Sequence, residues 1–217
     1  MDSTPRKTLY QGGTGEIIEK KSRFIATTGS ITTEEEAFAF IHKIKKQYWD
    51  ARHNCYAFVA GKSHSLQRFS DDGEPGGTAG RPMLDVLLKE GVHDAVVVVT
   101  RYFGGVLLGT GGLVRAYQKA TQEGLRNSLI IERRQGVPLQ IGTDYNGIGK
   151  IQYILAQKQV PTINTSYTDR VLAEVMAPVE RLAEIQDAVT EATNGTAQFQ
   201  AGGTVEFAEI DGEIKIF

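Results

Sequence analysis

Residues 94–112 read DAVVVVTRYFGGVLLGTGG, and the rest of the chain is organised around them. Ala95–Val99 is an unbroken apolar run, mostly β-branched, too short to span a bilayer and suited to a strand buried on both faces. The run stops being apolar at Arg101, after which Gly104, Gly105, Gly109, Gly111 and Gly112 follow in quick succession. Glycine there permits positive φ and lets backbone amides approach a partner closely. From Leu113 a helical pattern resumes. A buried strand, a glycine loop and a helix N-terminus together present amides to an anion, so the stretch predicts where a site lies.

Working outward, the bulk properties bound the class. The 217 residues suit one large or two small domains, and 41% hydrophobic with 23% charged residues describes an ordinary globular chain. No apolar run approaches the roughly 20 residues that cross a bilayer. The opening MDSTPRKTLYQGG lacks the apolar core of a signal peptide, so a cytoplasmic location is expected. Cys55 is the only cysteine, which excludes an internal disulfide and a multi-cysteine metal cage. The net charge of −2 hides an asymmetry: residues 1–136 carry 19 Lys and Arg against 15 Asp and Glu, and residues 137–217 carry 5 against 11. A mildly basic half joined to an acidic half points to two domains with different partners, or to ordinary solvated surfaces.

Before the central stretch, residues 1–13 read as a loose arm. EIIE and RFIATTG, within Glu16–Ser30, are two short strands separated by KKS. Thr33 and Glu36 form a capping box, and Ala37, Phe40, Ile41, Ile44 and Tyr48 give the helix that follows one buried face. Its Lys43, Lys45 and Lys46 suit either phosphates or solvent. Arg52–Ala60 reads as a strand, and Gly61-Lys62 begins a turn into another over 64–69. Asp71–Arg81, DDGEPGGTAGR, is a second glycine-rich loop, with Thr78 or Gly80 placed to cap a helix over Pro82–Glu90 that Gly91 stops.

After the central stretch, a helix is expected over Leu113–Asn127 and a closing strand over Ser128–Glu132. RRQGVP, Arg133–Pro138, is the best linker, so domains are expected at 1–134 and 135–217. The second half reads strand (Leu139–Thr143), helix (Gly147–Gln157), two paired strands (Thr162–Tyr167, Val171–Ala177), helix (Val179–Ala192). Thr204–Ala208 with Glu213–Ile216 completes the sheet. That is the split βαβ order of a ferredoxin-like domain.

Several residues invite chemistry. Asp71, Asp72 and Glu74, among Gly73, Gly76, Gly77 and Thr78, suit either a hard cation or turn bonding to nearby amides. If this loop and the one at Gly104–Gly112 converge, they make a single anion-binding cleft. Arg101 is placed to pair with phosphate or carboxylate, or internally with Asp72 or Asp85. Tyr102 and Phe103 offer a stacking face for a base, or core packing. Arg115 lies early on the next helix, where a bound anion would offset the helix dipole. His53 and Cys55 share a strand face, but a buried cysteine beside a satisfied histidine is the simpler reading than a nucleophile and base. No nucleophile elbow, Walker motif or zinc-hydrolase helix is present.

Four stretches carry a resemblance: KKSRFIA at 20–26, RHNCYAF at 52–58, SDDGEPGGTAGRPML at 70–84 and VTRYFGGVLLGTGGLVRAY at 99–117. With them the chain resembles a bacterial, YigZ-type member of the IMPACT family, the N-terminal likeness covering about residues 15–130. The resemblance implies an α+β chain. Its first half would be an α/β sandwich of the ribosomal-protein and elongation factor G domain-four type, with a left-handed βαβ crossover shared with the GHMP kinases. Its second half would be ferredoxin-like, as in elongation factor G domain five. Eukaryotic relatives act in translational control with an extra RWD domain that does not occur here, so their partner mechanism does not transfer. The family supplies no settled catalytic residues.

The leading expectation is a non-catalytic protein that binds RNA or the ribosome and modulates translation, with no membrane partner and no cofactor or metal. Arg52, Arg101 and Arg115, with the amides of Gly104, Gly105, Gly111 and Gly112, would hold phosphates, and Tyr102 or Phe103 would stack on a base. One rival is an enzyme acting on a phosphorylated or carboxylate small molecule, with Glu74 or Asp72 as acid, base or metal ligand. Another is a protein-interaction module whose acidic C-terminal domain docks a partner.

Overall fold

A computed structural model describes residues 5–61 and 65–217. Contacts divide the chain into two compact units, Arg6–Ile131 and a second built on Glu132–Phe217.

In chain order the first unit holds β1 (Arg6–Gln11), β2 (Thr14–Glu19), β3 (Ser22–Ser30), α1 (Glu34–Gln47), β4 (His53–Ala60) and β5 (Leu66–Ser70). There follow α2 (Gly80–Glu90), β6 (Val92–His93), β7 (Ala95–Tyr102), α3 (Thr110–Arg126) and the first residues of β8 (Leu129–Thr143). Five strands form a sheet in the order β2-β3-β7-β4-β5, every neighbouring pair antiparallel. The apolar run is its middle strand, β7, buried from Ala95 to Arg101. Strand parity sorts its side chains. Ala95, Val97 and Val99 pack with Met83, Leu87, Leu113 and Tyr117 of α2 and α3, whereas Val96 and Val98 pack with Ile41 and Ile44 of α1. The sheet therefore has helices on both faces, which is why its central strand carries no polar alternation.

The order also fixes chirality. β3 and β4 run parallel with β7 between them and are joined over one face by α1. β5 and β7 run parallel to each other, opposite to that pair, and are joined over the other face through α2 in the reverse direction across the sheet. Reversing strand direction, step and face together reverses the hand, so one of the two crossovers is left-handed, against the usual rule.

Local signals hold in part. Thr33 Oγ1 accepts from the Glu36 amide at 3.2 Å, and Glu36 reaches back to the Thr32 amide at 2.6 Å, one residue before the cap. Gly91 ends α2 at φ 65. Of the loose arm expected over residues 1–13, residues 1–4 lie outside the described residues, and Arg6–Gln11 is instead β1, paired in parallel with β6 through Lys7↔Val92 and Thr8↔His93. Its buried residues, Thr8 and Leu9, are adjacent rather than alternating, so it carries no strand period. Helix α3 begins at Thr110, so Gly111 and Gly112 belong to its first turn and not to the loop. Of the turn expected at Gly61-Lys62, Lys62 lies outside the described residues, as does His64 in the strand expected over 64–69.

The second unit continues β8 into α4 (Ile148–Gln157), β9 (Thr162–Tyr167), β10 (Val171–Pro178), α5 (Leu182–Ala192), β11 (Gln198–Ala201), β12 (Val205–Ile210) and β13 (Glu213–Ile216). The ladder β9-β10-β8-β11 is antiparallel throughout and has the ferredoxin-like strand order. Ile151, Leu155, Ile185 and Val189 of the two helices cover Leu139, Ile141, Ala173 and Val175 of the sheet. Two expectations are corrected. RRQGVP is not a linker but lies inside the continuous strand β8. Gly136 sits there because a Cβ would come within 2.5 Å of the Phe207 ring, and the Pro138 carbonyl still accepts from the Gly202 amide at 2.8 Å. The fourth strand of the ferredoxin-like sheet is β11, a polar strand of four residues; Val205–Ile210 and Glu213–Ile216 form a hairpin that pairs with β8 at 134–136.

Candidate functional site

Arg101 shares the parity of Val97 and Val99, so its side chain turns toward α2 and α3. There it is only 7% exposed, and its Nη1 donates to Glu74 Oε1 at 2.7 Å. Tyr117 of α3 donates its hydroxyl to the same oxygen at 2.7 Å. The single S–H of Cys55 lies 3.0 Å from the Asp71 carbonyl and 3.3 Å from the Tyr117 hydroxyl. Burial pushes the Cys55 thiol well above its ordinary value and the Tyr117 phenol likewise, so both stay protonated. Cys55 is thus a buried structural thiol, as the simpler reading expects. The internal-pair alternative for Arg101 is realised, with Glu74 in place of Asp72 or Asp85. Asp72 is taken by Lys45 at 2.6 Å and Asp85 by Arg81 at 2.8 Å.

The 71–79 loop is built by its own carboxylates. Asp71 accepts from the amides of Gly77, Ala79 and Gly80 at 2.8, 3.0 and 2.8 Å, which fills the N-terminus of α2 with a resident anion. Asp72 accepts from the Asn54 amide at 2.6 Å, and its carbonyl meets His53 Nδ1 at 2.9 Å. Gly73 and Gly77 take positive φ, 87 and 77, and Thr78 Oγ1 donates to the Pro75 carbonyl at 2.7 Å. Asp71 and Asp72 thus bond nearby amides, whereas Glu74 pairs across to Arg101 and Tyr117, and among the described residues no group of three His, Cys, Asp or Glu is arranged to hold a metal ion. The loop meets the end of β7 through Glu74, yet as a support beneath it. The two loops therefore do not make one shared anion cradle.

What opens to solvent is a cleft of about 490 Å³ lined by Asp50, Arg52, His53, Arg101, Tyr102, Phe103 and Leu107. Arg52 is exposed and has no partner among the described residues. The Phe103 ring is 54% exposed and rests on Arg101, whose Cζ lies 5.6 Å from its centroid and 5.4 Å from that of Phe24. Tyr102 donates to Asp50 at 2.7 Å, which holds its phenol above the ordinary value, and Arg23 covers its ring at 5.7 Å. Phe103 is therefore the free stacking face and Tyr102 a braced wall. Arg101 keeps one buried nitrogen, Nε, without a hydrogen-bond partner.

A second cleft, about 340 Å³, is lined by Glu19, Lys20, Leu108, Gly112, Arg115, Ala116, Gln118, Lys119 and Gln122. Arg115 thus faces a different space from Arg52 and Arg101. Between the clefts runs the 103–109 loop, since Leu107 lines the first and Leu108 the second. Gly105 and Gly109 take positive φ, 84 and 73. Gly104 is required for a different reason: a Cβ there would lie 2.1 Å from the Lys21 carbonyl carbon, and its amide donates to Ser22 Oγ at 3.1 Å. Lys20 and Lys119 escaped sequence reasoning because only the packing of the β2–β3 hairpin beside α3 assembles them, and Leu107 because only the fold of the 103–109 loop brings it beside Arg52.

Against known proteins, residues 20–125 match the model of the Impact N-terminal domain. The chain is 43% identical over 195 residues to the IMPACT family member YvyE of Bacillus subtilis, covering 90% of both chains. It belongs to the IMPACT family. Residues 141–196 match a further model, a domain of unknown function (DUF1949). Identity to the family member YigZ of Escherichia coli is 39% over 184 residues, 84% of this chain and 90% of that one. A solved structure described as a hypothetical protein aligns at 36% identity over 92% of this chain and 98% of its own, with TM-score 0.57. In the IMPACT homolog of Dictyostelium discoideum the likeness narrows to 106 residues, 47% of this chain. Three of the four stretches that carry the family resemblance contribute to the two clefts, namely the β2–β3 turn, the start of β4, and β7 with its loop and α3, while the α2-capping loop supports the end of β7 from beneath.

Proposed function

We propose that this protein is a cytoplasmic, non-catalytic translation regulator that binds RNA, alone or on the ribosome, through the N-terminal unit. The observation that carries the reading is the first cleft. An unpaired arginine, Arg52, faces an exposed aromatic ring, Phe103, that is backed by a buried guanidinium. A phosphate on Arg52 with a base stacked on Phe103 is the single-strand arrangement, in which an aromatic face tolerates any base and a cation follows the backbone. The family's modules, shared with ribosome-bound proteins, and the role of its eukaryotic members in translational control support the same direction.

The enzyme reading is weaker because both of its candidate acid–base groups, Glu74 and Asp72, are committed, Asp72 to Lys45 and to the Asn54 amide. Glu74 Oε1 already accepts from Arg101 and Tyr117, and its side chain is 3% exposed. Fluorescence anisotropy with a labelled oligouridylate tests the proposal. Affinity is expected to fall log-linearly with salt, by about 0.7 per phosphate contact. Phe103→Ala is expected to cost about 1–3 kcal/mol of binding. Absence of binding at low salt, or salt-independent binding, would contradict it.

A further inference from the structure

The second cleft has a composition that the first does not use. Lys20, Arg115 and Lys119 line it, all three exposed and none with an ion-pair partner among the described residues; Glu19 is its only carboxylate. Three unpaired cations against one anion in a concave space of about 340 Å³ repel one another, and a polyanion relieves that repulsion. The position of Lys20 is not incidental. Lys20 and Lys21 are the two central residues of the β2–β3 hairpin turn, closed by Glu19↔Ser22, and both take positive φ, 46 and 69. Asn-Gly is the favoured pair for such a turn, and lysine is strained there. Gly104 of the dividing loop clamps the turn through its backbone contact with Lys21 and its bond to Ser22. The same loop that walls the first cleft thus fixes a strained lysine turn at the edge of the second.

The loop itself is apolar along its crest. Phe103 is 54%, Val106 42% and Leu107 82% exposed. An apolar crest between two cationic hollows matches a strand whose bases are unpaired and free to lie on it. A duplex would turn its phosphates toward the crest and hide its bases. Resting on the RNA reading above, we infer that Lys20, Arg115 and Lys119 form a second backbone-phosphate site for the same single strand. That strand crosses the 103–109 loop from one cleft to the other.

The test is anisotropy across a salt series with an oligouridylate of about 12 nucleotides, the size range of a single-strand site. A triple variant, Lys20→Gln with Arg115→Gln and Lys119→Gln, alters only exposed side chains, and unchanged thermal unfolding confirms its fold. It is expected to flatten the log–log salt slope by about 2, at about 0.7 per lost contact. Val106→Ser with Leu107→Ser is expected to weaken single-strand binding while leaving that slope unchanged. A duplex of equal length is expected to bind at least tenfold more weakly. Tripolyphosphate is expected to compete with the oligonucleotide on wild type and to lose that effect on the triple variant. An unchanged slope in the triple variant, or duplex binding equal to single-strand binding, would overturn the inference. The proposed function would survive that outcome if Phe103→Ala still weakened binding, and would fall with the inference if wild type bound no RNA or bound it without salt dependence.

Discussion

At the scale of single residues, the end of β7 shows how parity decides a side chain's fate. Arg101 lies one residue before the end of a strand whose odd positions face α2 and α3, so it is drawn inside, and a buried guanidinium needs a carboxylate. Glu74 supplies it. Because both charges are desolvated, Glu74→Ala leaves Arg101 uncompensated and is expected to cost about 3 kcal/mol or more in a urea melt. Replacing an exposed acid without an ion pair among the described residues, such as Glu191, would fall within about 0.5 kcal/mol. Cys55 yields a pH prediction. Its folded thiol is held above the ordinary value of 9.0, so the unfolded chain loses that proton first as pH rises. The folded state therefore binds more protons than the unfolded one above pH 9. Stability is intact below that pH and falls above it by about 1.4 kcal/mol per unit. Tyr117, raised from 10.0, steepens the fall beyond pH 10. Chemical denaturation from pH 7 to 11 checks this, and Cys55→Ala is expected to remove the first limb. A thiol reagent that labels the native protein as fast as the unfolded chain would contradict it.

Elements tell a different story, because their ends are fixed by residues distant in the chain. The N-cap of α2 is Ala79, which offers no side-chain acceptor. Asp71, well upstream, holds the amides of Gly77, Ala79 and Gly80 instead. Asp71→Ala is expected to cost about 1–2 kcal/mol, near the upper range for a lost cap, read as a lower melting temperature with the fold retained. Asp71→Asn should recover part of that loss. The sequence displayed β7, α1 and the ferredoxin-like helices because each has a clean period set by one or two buried faces. β1 and β11 escaped it, one having adjacent buried residues and the other almost no burial. RRQGVP looked like a linker because Gly and Pro usually break strands. In β8 the glycine is a packing requirement under Phe207 and the proline carbonyl remains bonded.

For the whole molecule, the sequence marked the region of the site better than its wiring. Arg52, Arg101, Tyr102 and Phe103 do meet in one cleft, since the start of β4 and the end of β7 are neighbours through His53↔Arg101. Arg115 goes to another cleft, and the Asp71–Thr78 loop goes underneath, because three-dimensional partners of a carboxylate cannot be read from spacing. The basic character of the first half thereby acquires a location, two hollows on either side of an apolar loop within the unit Arg6–Ile131. In the acidic second half, a hollow of about 220 Å³ sets Arg134 and Arg181 against Glu132, Glu180 and Glu209, so its carboxylates outnumber its cations. On the reading proposed above, RNA lies on that loop. Photo-crosslinking of a 4-thiouridine oligonucleotide to the full chain, followed by mass spectrometry of the adducts, tests it most directly. Adducts are expected on the peptide containing Tyr102 and Phe103, lost in Arg52→Ala at raised salt. Adducts confined to residues 132–217, or none at all, would contradict it.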